Sequence, residues 1–317
     1  MNRRQFLTNS ITVPALGAVA GLPARAAEFR GKLRKAMIIG EVTEQALSPL
    51  KAAGFDGVES THVCSEEQAV KGRDAAALLD MKVHSVLLGC MDFNNEAPEK
   101  VAASLDKTRR ALRAAKAYGA DAVLLVPCRI GGMPMPEPWE FAIEFDDATG
   151  HLTRVTAAGS NNHDAYLKAH NQAIDASRAA IRQLIPVAEE LKVVIGLENV
   201  WNNLWVQPKV WRHFLASFAT PWVRAYFDIG NHVKFAPPQE WIRRLGPLLV
   251  KLHVKDFRLN PDGHGGQFVH PRDGSVDWPL VRRSLDDAGY DGWATIEDEG
   301  LELTEFSRRL DLIAAGK

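Results

Sequence analysis

Four short apolar runs in the last third of the chain each lead into a side chain that can ligate a metal. Residues 193–197 run into Glu198, 223–227 into Asp228, 249–252 into His253 and 292–296 into Glu297. The runs are aliphatic, β-branched or aromatic, and a polar stretch and a helix-like pattern follow each. Buried parallel strands read this way, because both faces of the sheet are covered. One carboxylate or imidazole at a strand end is usually a solvated loop residue or a cap. The same placement on four successive strands makes a hard oxygen and nitrogen donor set for one divalent cation, and Mn, Mg, Co and Zn all suit it.

The earlier part of the chain repeats the strand-then-helix rhythm. Strands are expected over 33–40, 58–61, 81–88 and 122–127, and helices over 44–53, 65–80 and 96–118, the last with Val101, Leu105, Leu112 and Ala115 on one face. The rhythm breaks at 128–162, which is rich in Gly, Pro, Asp and Asn; within it, residues 140–145 form one short expected strand. A loop that long is usually functional or disordered. A helix over 163–191 resumes the pattern, and helices at 208–218, 238–245, 278–288 and 303–314 follow. Eight alternating units predict a closed α/β barrel, a (β/α)8 TIM barrel in a single domain over residues 28–317. An open doubly wound sheet is the competing architecture, but no Gly-x-Gly-x-x-Gly follows the first strand. In a barrel all C-terminal strand ends open on one face, so Glu198, Asp228, His253 and Glu297 converge there.

The 317 residues suffice for such a barrel, and 46% hydrophobic content supports its core. A net charge of −1, with both signs interspersed, gives no basic nucleic-acid surface. Residues 1–27 read as a cleaved twin-arginine export signal: Arg3-Arg4 precedes Phe6-Leu7, an uncharged run spans 11–22, and Ala24-Arg25-Ala26 supplies small residues for cleavage. The expectation is a periplasmic or otherwise exported protein with no stable membrane insertion after cleavage. Export of a folded protein suits a metal site whose ligands meet only on folding. Cys64, Cys90 and Cys128 show no paired spacing and are expected to act as small buried apolar residues.

The motifs Gly-Phe-Asp-Gly-Val-Glu (54–59), Leu-Glu-Asn (197–199), Phe-Asp-Ile-Gly-Asn (227–231), Leu-His-Val-Lys-Asp (252–256), Gly-Ser-Val-Asp-Trp (274–278) and Gly-Tyr-Asp-Gly-Trp-Ala-Thr-Ile-Glu (289–297) follow one another in this order. In them the chain resembles the sugar phosphate isomerase/epimerase family, the xylose-isomerase-like barrels, over all but the expected signal. The resemblance implies that Glu198, Asp228, His253 and Glu297 bind one divalent metal. The chain also departs from the family. Its ketose 3-epimerases often carry a His three residues after the metal Asp, where this chain has Asn231 with His232 next. A second Glu about six residues past the first metal Glu is replaced by the stretch Asn202-Asn203-Leu204-Trp205, and an Arg past the metal His by Leu259, with Arg258 adjacent.

The expected reaction is removal of a proton beside a sugar carbonyl through an enediolate, giving isomerisation or epimerisation. Glu198 and Glu297 would move the proton, and Asp228 and His253 would only ligate. Lys255, Asn231, His232, Asn199, Trp201, Arg258, His84 and Glu59 are candidates to bind substrate. Lys255 lies two residues beyond His253, on the same side of the strand. The substrate partner is a small carbohydrate, non-phosphorylated because no Gly-rich phosphate cradle is evident; a homo-oligomer is left open. A metal-dependent lyase or dehydratase on a keto-polyol or 3-keto-glycoside shares the first chemical step. A noncatalytic exported carbohydrate-binding protein would not need the full ligand set. A metal-dependent nuclease of the endonuclease IV type would need more histidines and a basic groove.

Overall fold

The computed structural model describes residues 29–157 and 163–317, so the export signal expected at residues 1–27 lies outside the described residues. Eight parallel strands close into a barrel. In chain order they are β1 (Leu33–Ile39), β2 (Gly57–Ser60), β3 (Lys82–Cys90), β4 (Ala122–Val126), β7 (Val194–Glu198), β8 (Val223–Asp228), β9 (Leu249–Val254) and β12 (Gly292–Ile296). Each strand pairs with its neighbour in the sequence, and β12 closes the barrel against β1, with Leu33 opposite Gly292 and Met37 opposite Ile296. Two antiparallel hairpins stand outside the barrel: β5 (Phe141–Phe145) with β6 (Leu152–Thr156), and β10 (Asp256–Leu259) with β11 (Gly266–Val269).

The outer layer is α1 (Glu44–Ala52), α2 (Glu66–Leu78), α3 (Pro98–Tyr118), α4 (Asp164–Leu191), α5 (Pro208–Ala216), α6 (Pro238–Leu245), α7 (Trp278–Asp287) and α8 (Leu303–Ala314). Local chemistry sets their starts. Ser65 and Gln68 form a reciprocal capping box at α2. Pro98 opens α3 at a position where no backbone N–H is needed. The Asp277 carboxylate accepts from Leu280 N–H at 2.8 Å to start α7. The apolar stripes pack onto the barrel: Leu105, Leu112 and Ala115 of α3, Ile174 and Ile181 of α4, Trp211 and Phe214 of α5 and Phe306 of α8 are all buried. Val101, expected on the same stripe of α3, is only half-buried.

The bottom of the barrel, at the N-terminal strand ends, is filled by Trp293. Its ring occupies the space beside Gly57, where an added Cβ would lie 2.8 Å from the indole. Higher up, Leu124, Val126 and Tyr226 form a separate buried cluster.

Three expectations change. The 128–162 stretch carries a two-stranded hairpin rather than one strand, with a cross-strand Arg154–Glu144 ion pair. The β10–β11 hairpin had no expected counterpart. Cys90 is exposed; Cys128 is buried against Ser177 Oγ at 3.4 Å, and half-buried Cys64 contacts Tyr118 Oη at 3.2 Å.

Candidate metal centre

The last residues of β7 and β8, the penultimate residue of β9 and the first residue beyond β12 bring Glu198, Asp228, His253 and Glu297 together. One ligand atom from each lies within 4.8 Å of all the others. His253 Nδ1 is 3.2 Å from Glu198 Oε1 and 2.8 Å from Glu297 Oε2. Glu198, Asp228 and His253 are buried, and the Glu297 side chain is one-third exposed, so the group opens to solvent on the Glu297 side.

Three carboxylates this close, and this dry, repel one another strongly. Burial raises the Asp228 and Glu198 pKa values; Lys255 partly offsets this at Asp228, as His253 does at Glu198. Burial also acts on Glu297, but His253 and Lys255 outweigh it and hold that carboxyl far below its usual range. Asp228 Oδ2 and Glu297 Oε2 are buried with no hydrogen bond among the described residues. Each has a basic group nearby, Lys255 Nζ 3.5 Å from Asp228 Oδ2 and His253 Nδ1 2.8 Å from Glu297 Oε2, but buried carboxylate oxygens without a hydrogen bond are costly. A divalent cation held by three carboxylates and one imidazole would satisfy them, so the donor set fits the metal that the sequence implied.

The candidate substrate residues divide. Lys255 is in the site: its Nζ lies 3.0 Å from Glu297 Oε1, 3.5 Å from Asp228 Oδ2 and 3.4 Å from Asn231 Oδ1. Asn231 borders it, with its backbone N–H on Asp228 Oδ1 at 2.6 Å and its Nδ2 on Asn199 O at 3.0 Å. Trp201 stacks on Phe268 (ring centroids 4.9 Å apart), and Lys234 Nζ sits 3.4 Å from the centre of its ring. Arg258 lines a cavity of about 450 Å³ that reaches Glu297 and Lys255, while its Nη2 donates to Asp273 O at 2.7 Å.

Four other candidates do not face substrate space. His84 is the third residue of β3, near the opposite end of the barrel. It stacks on Trp293 with ring centroids 4.5 Å apart, and its Nε2 meets Thr295 Oγ1 at 3.0 Å. Asn199 spends its amide on the Asp228 backbone, accepting from the N–H at 2.7 Å and donating to the carbonyl at 2.8 Å, and so staples β7 to β8. His232 turns outward, against Trp241 and Phe235, with Nε2 on Val200 O at 3.0 Å. Burial lowers its pKa to about 3, so it is a neutral wall residue and not a replacement for the family histidine. Glu59 is fully buried, and its Oε2 meets His253 Nε2 at 2.6 Å.

The departures from the family pattern have local explanations. Asn202 Nδ2 donates to Cys128 O at 3.0 Å and Asn203 Nδ2 to Ile130 O at 2.7 Å, so both side chains tie down the start of the long loop. Sequence reasoning missed Phe268, His270 and Asp298. They line the cavity beside Glu297, and His270 Nδ1 lies 2.7 Å from Asp298 Oδ2. The flanking loop is organised by buried Asp256, which accepts from Trp278 Nε1 at 3.0 Å and from the backbone N–H groups of Phe257, Arg272, Gly274 and Val276. An added Cβ at Gly274 would lie 2.1 Å from Asp256 Oδ1, so the loop closes on the carboxylate only with glycine there. The motif pair Leu-His-Val-Lys-Asp and Gly-Ser-Val-Asp-Trp was the available signal for this loop.

Known proteins share this fold. A D-tagatose 3-epimerase-like protein superposes with a TM-score of 0.65 at 15% identity, covering 89% of this chain and 98% of its own. The 3-keto-D-glucoside 4-epimerase YcjR of E. coli gives 0.62 at 14% identity, covering 89% and 99%. A D-allulose 3-epimerase from Methylomonas sp., in complex with D-allulose, gives 0.61 at 17% identity, covering 92% and 97%. At these identities the likeness is one of fold. A protein of Methanocaldococcus jannaschii, uncharacterized protein MJ1311, is 23% identical over 137 residues, which are 41% of this chain and 45% of the relative, so the match spans less than half of that protein's length. The family model for xylose isomerase-like TIM barrels matches residues 47–313, most of the chain, and the protein therefore belongs to the xylose isomerase-like TIM barrel family.

Proposed function

We propose that the protein is a divalent-metal-dependent sugar isomerase or epimerase acting beside a carbonyl, on a non-phosphorylated sugar or keto-sugar. The observation that carries this reading is the four-donor group, with a glutamate at each end of its strand order: Glu198 on β7 and Glu297 after β12. Its fold neighbours include epimerases whose names specify ketoses and a keto-glucoside. When bound by Glu198, Asp228, His253 and Glu297, a divalent ion supplies Lewis-acid polarisation of carbonyl and hydroxyl oxygens. Glu198 and Glu297 move the proton at the carbon beside the carbonyl, one taking it and the other returning it. Lys255, held between Glu297 and Asn231, meets the oxygen on which charge develops. Trp201 and Phe268 offer a stacked aromatic wall for a sugar face.

The His270–Asp298 pair favours a second reading, a lyase on a keto-polyol or 3-keto-glycoside. It stands in the cavity beside Glu297, where it can meet a departing oxygen. Both readings share the first step. The test is solvent-deuterium wash-in: Mn²⁺-loaded protein in D₂O with free ketoses and a 3-keto-glucoside, read by NMR, with Glu297→Gln as control. Deuterium beside the carbonyl, absent with Glu297→Gln, supports the shared step, and the product then separates epimerase from lyase. No exchange in any sugar, with Mn²⁺ bound, would sink both readings.

The reading includes export through residues 1–27. An N-terminus near Ala27 on protein recovered from outside the cytoplasm supports this. An intact Met1 there, or retention inside, counts against it.

A further inference from the structure

One imidazole joins the ligand group to a carboxylate from the other side of the barrel. His253 Nδ1 faces Glu198 and Glu297, while Nε2 points away from them to Glu59 Oε2 at 2.6 Å. Both side chains are fully buried. An imidazole that ligates through one nitrogen carries its proton on the other, and that N–H needs an acceptor. An ionised carboxylate only accepts, so Glu59 selects the Nε2–H form and leaves the Nδ1 lone pair toward the donor group. The Tyr226 ring packs on the imidazole at 61° with centroids 4.7 Å apart, and opposes rotation of the ring about its bond.

A packing role does not account for Glu59. Its Oε1, Ser85 Oγ across the strand pair, and Tyr226 Oη are buried and make no hydrogen bond of good geometry among the described residues, although Tyr226 Oη acts on both Glu59 and Ser85. An apolar side chain of similar volume would spare the fold a buried charge with an unmatched oxygen. The nearest basic group to it is His253, and Lys251 acts on it from further away.

We propose that Glu59 is the positioning residue of the metal centre: it fixes the tautomer and ring orientation of His253 so that Nδ1 is presented to a divalent cation. The inference rests on the metal-centre reading above. It removes Glu59 from the substrate contacts and gives the first half of the barrel a stake in metal affinity.

The test is Mn²⁺ binding, followed by electron paramagnetic resonance of the free ion. The full chain is stripped with a chelator and compared with Glu59→Gln, Glu59→Leu and His253→Ala; far-UV circular dichroism checks the fold. Glu59→Leu is expected to weaken Mn²⁺ binding by about 10–100-fold. Glu59→Gln keeps an acceptor without the charge and is expected to fall between Glu59→Leu and wild type. If Glu59→Leu fails to fold, Glu59→Gln decides alone. A structural role would not move a second readout: in Zn²⁺-loaded protein, a slowly exchanging imidazole N–H resonance is present in wild type and lost in Glu59→Leu. Wild-type affinity in folded Glu59 variants, with binding abolished in His253→Ala, would overturn the assignment of Glu59 and leave the metal reading standing. Wild-type protein that binds no Mn²⁺, or His253→Ala that binds it normally, would overturn both.

Discussion

Strands β7, β8 and β9 carry Glu198, Asp228 and His253 at or near their C-terminal ends, and Glu297 follows β12; strands β1, β2, β3 and β4 finish on Ile39, Ser60, Cys90 and Val126. The same architecture is thus loaded unequally. One half concentrates charge at the mouth; the other supplies apolar wall with a few small or neutral polar side chains (Ser60, His84, Ser85) and one carboxylate, Glu59, which crosses the interior to His253. A closed barrel permits this because every strand end reaches the same rim, whatever its place in the chain. The half with the ligands bears the electrostatic strain, and the half without them holds the geometry.

The largest expected break in that contrast is His253→Ala. Removing one of four donors is expected to cost at least about 10³-fold in deuterium exchange, through loss of the Lewis acid, with the barrel still folded. Wash-in rates and circular dichroism on the same samples check both halves of that statement. Next is stability on the ligand side. Gly274→Ala drives a methyl into Asp256 and is expected to lower stability by about 1–3 kcal/mol, read as a fall in the thermal midpoint. An unchanged midpoint would mean that the 270–278 loop is not held by that carboxylate.

Acid provides a third comparison. Burial lowers the pKa of His170 to about 4 and that of His232 to about 3, from 6.5. A folded-state pKa below the unfolded value means that stability is fully present above pH 6.5 and is lost as pH falls toward these values. At pH 4 the expected loss is about 3 kcal/mol for each of the two. His84, in the other half, is also held neutral by burial. Urea unfolding of His84→Gln, His170→Gln and His232→Gln at pH 7 and pH 4.5 would divide the acid sensitivity between the halves, and an identical pH slope in all three would refute its origin in these side chains. The smallest expected effect is Phe268→Ala. The residue is 43% exposed at the mouth, so its loss is expected to raise KM for a turned-over sugar by a few-fold, with kcat unchanged.

The barrel and the four donors could be read from the sequence because buried parallel strands leave a strong local mark. An apolar run, an abrupt polar end and a following helix are short-range signals. Axial level is not. His84 looks like any polar residue in a strand, and only the pairing of β3 with its neighbours places it far from the mouth. Contacts across the barrel are no better marked: Glu59 and His253 are 194 residues apart in the chain. His232 was misplaced because a one-residue offset after a strand turns a side chain from the pocket to the outer wall. The second hairpin was missed because β11, Gly-Gln-Phe-Val, is short and exposed, without an apolar face to announce it.

The seam between β1 and β12 has a consequence for synthesis of the chain. Glu297 follows a strand held between β9 and β1, so the last barrel strand to leave the ribosome must pair with the first. Until it does, β1 and β9 offer open edges to other chains, and three donors wait for a fourth. Completion of the donor set and closure of the vulnerable edges are then one event in folding. The edge exposed to aggregation and the incomplete donor group therefore disappear together.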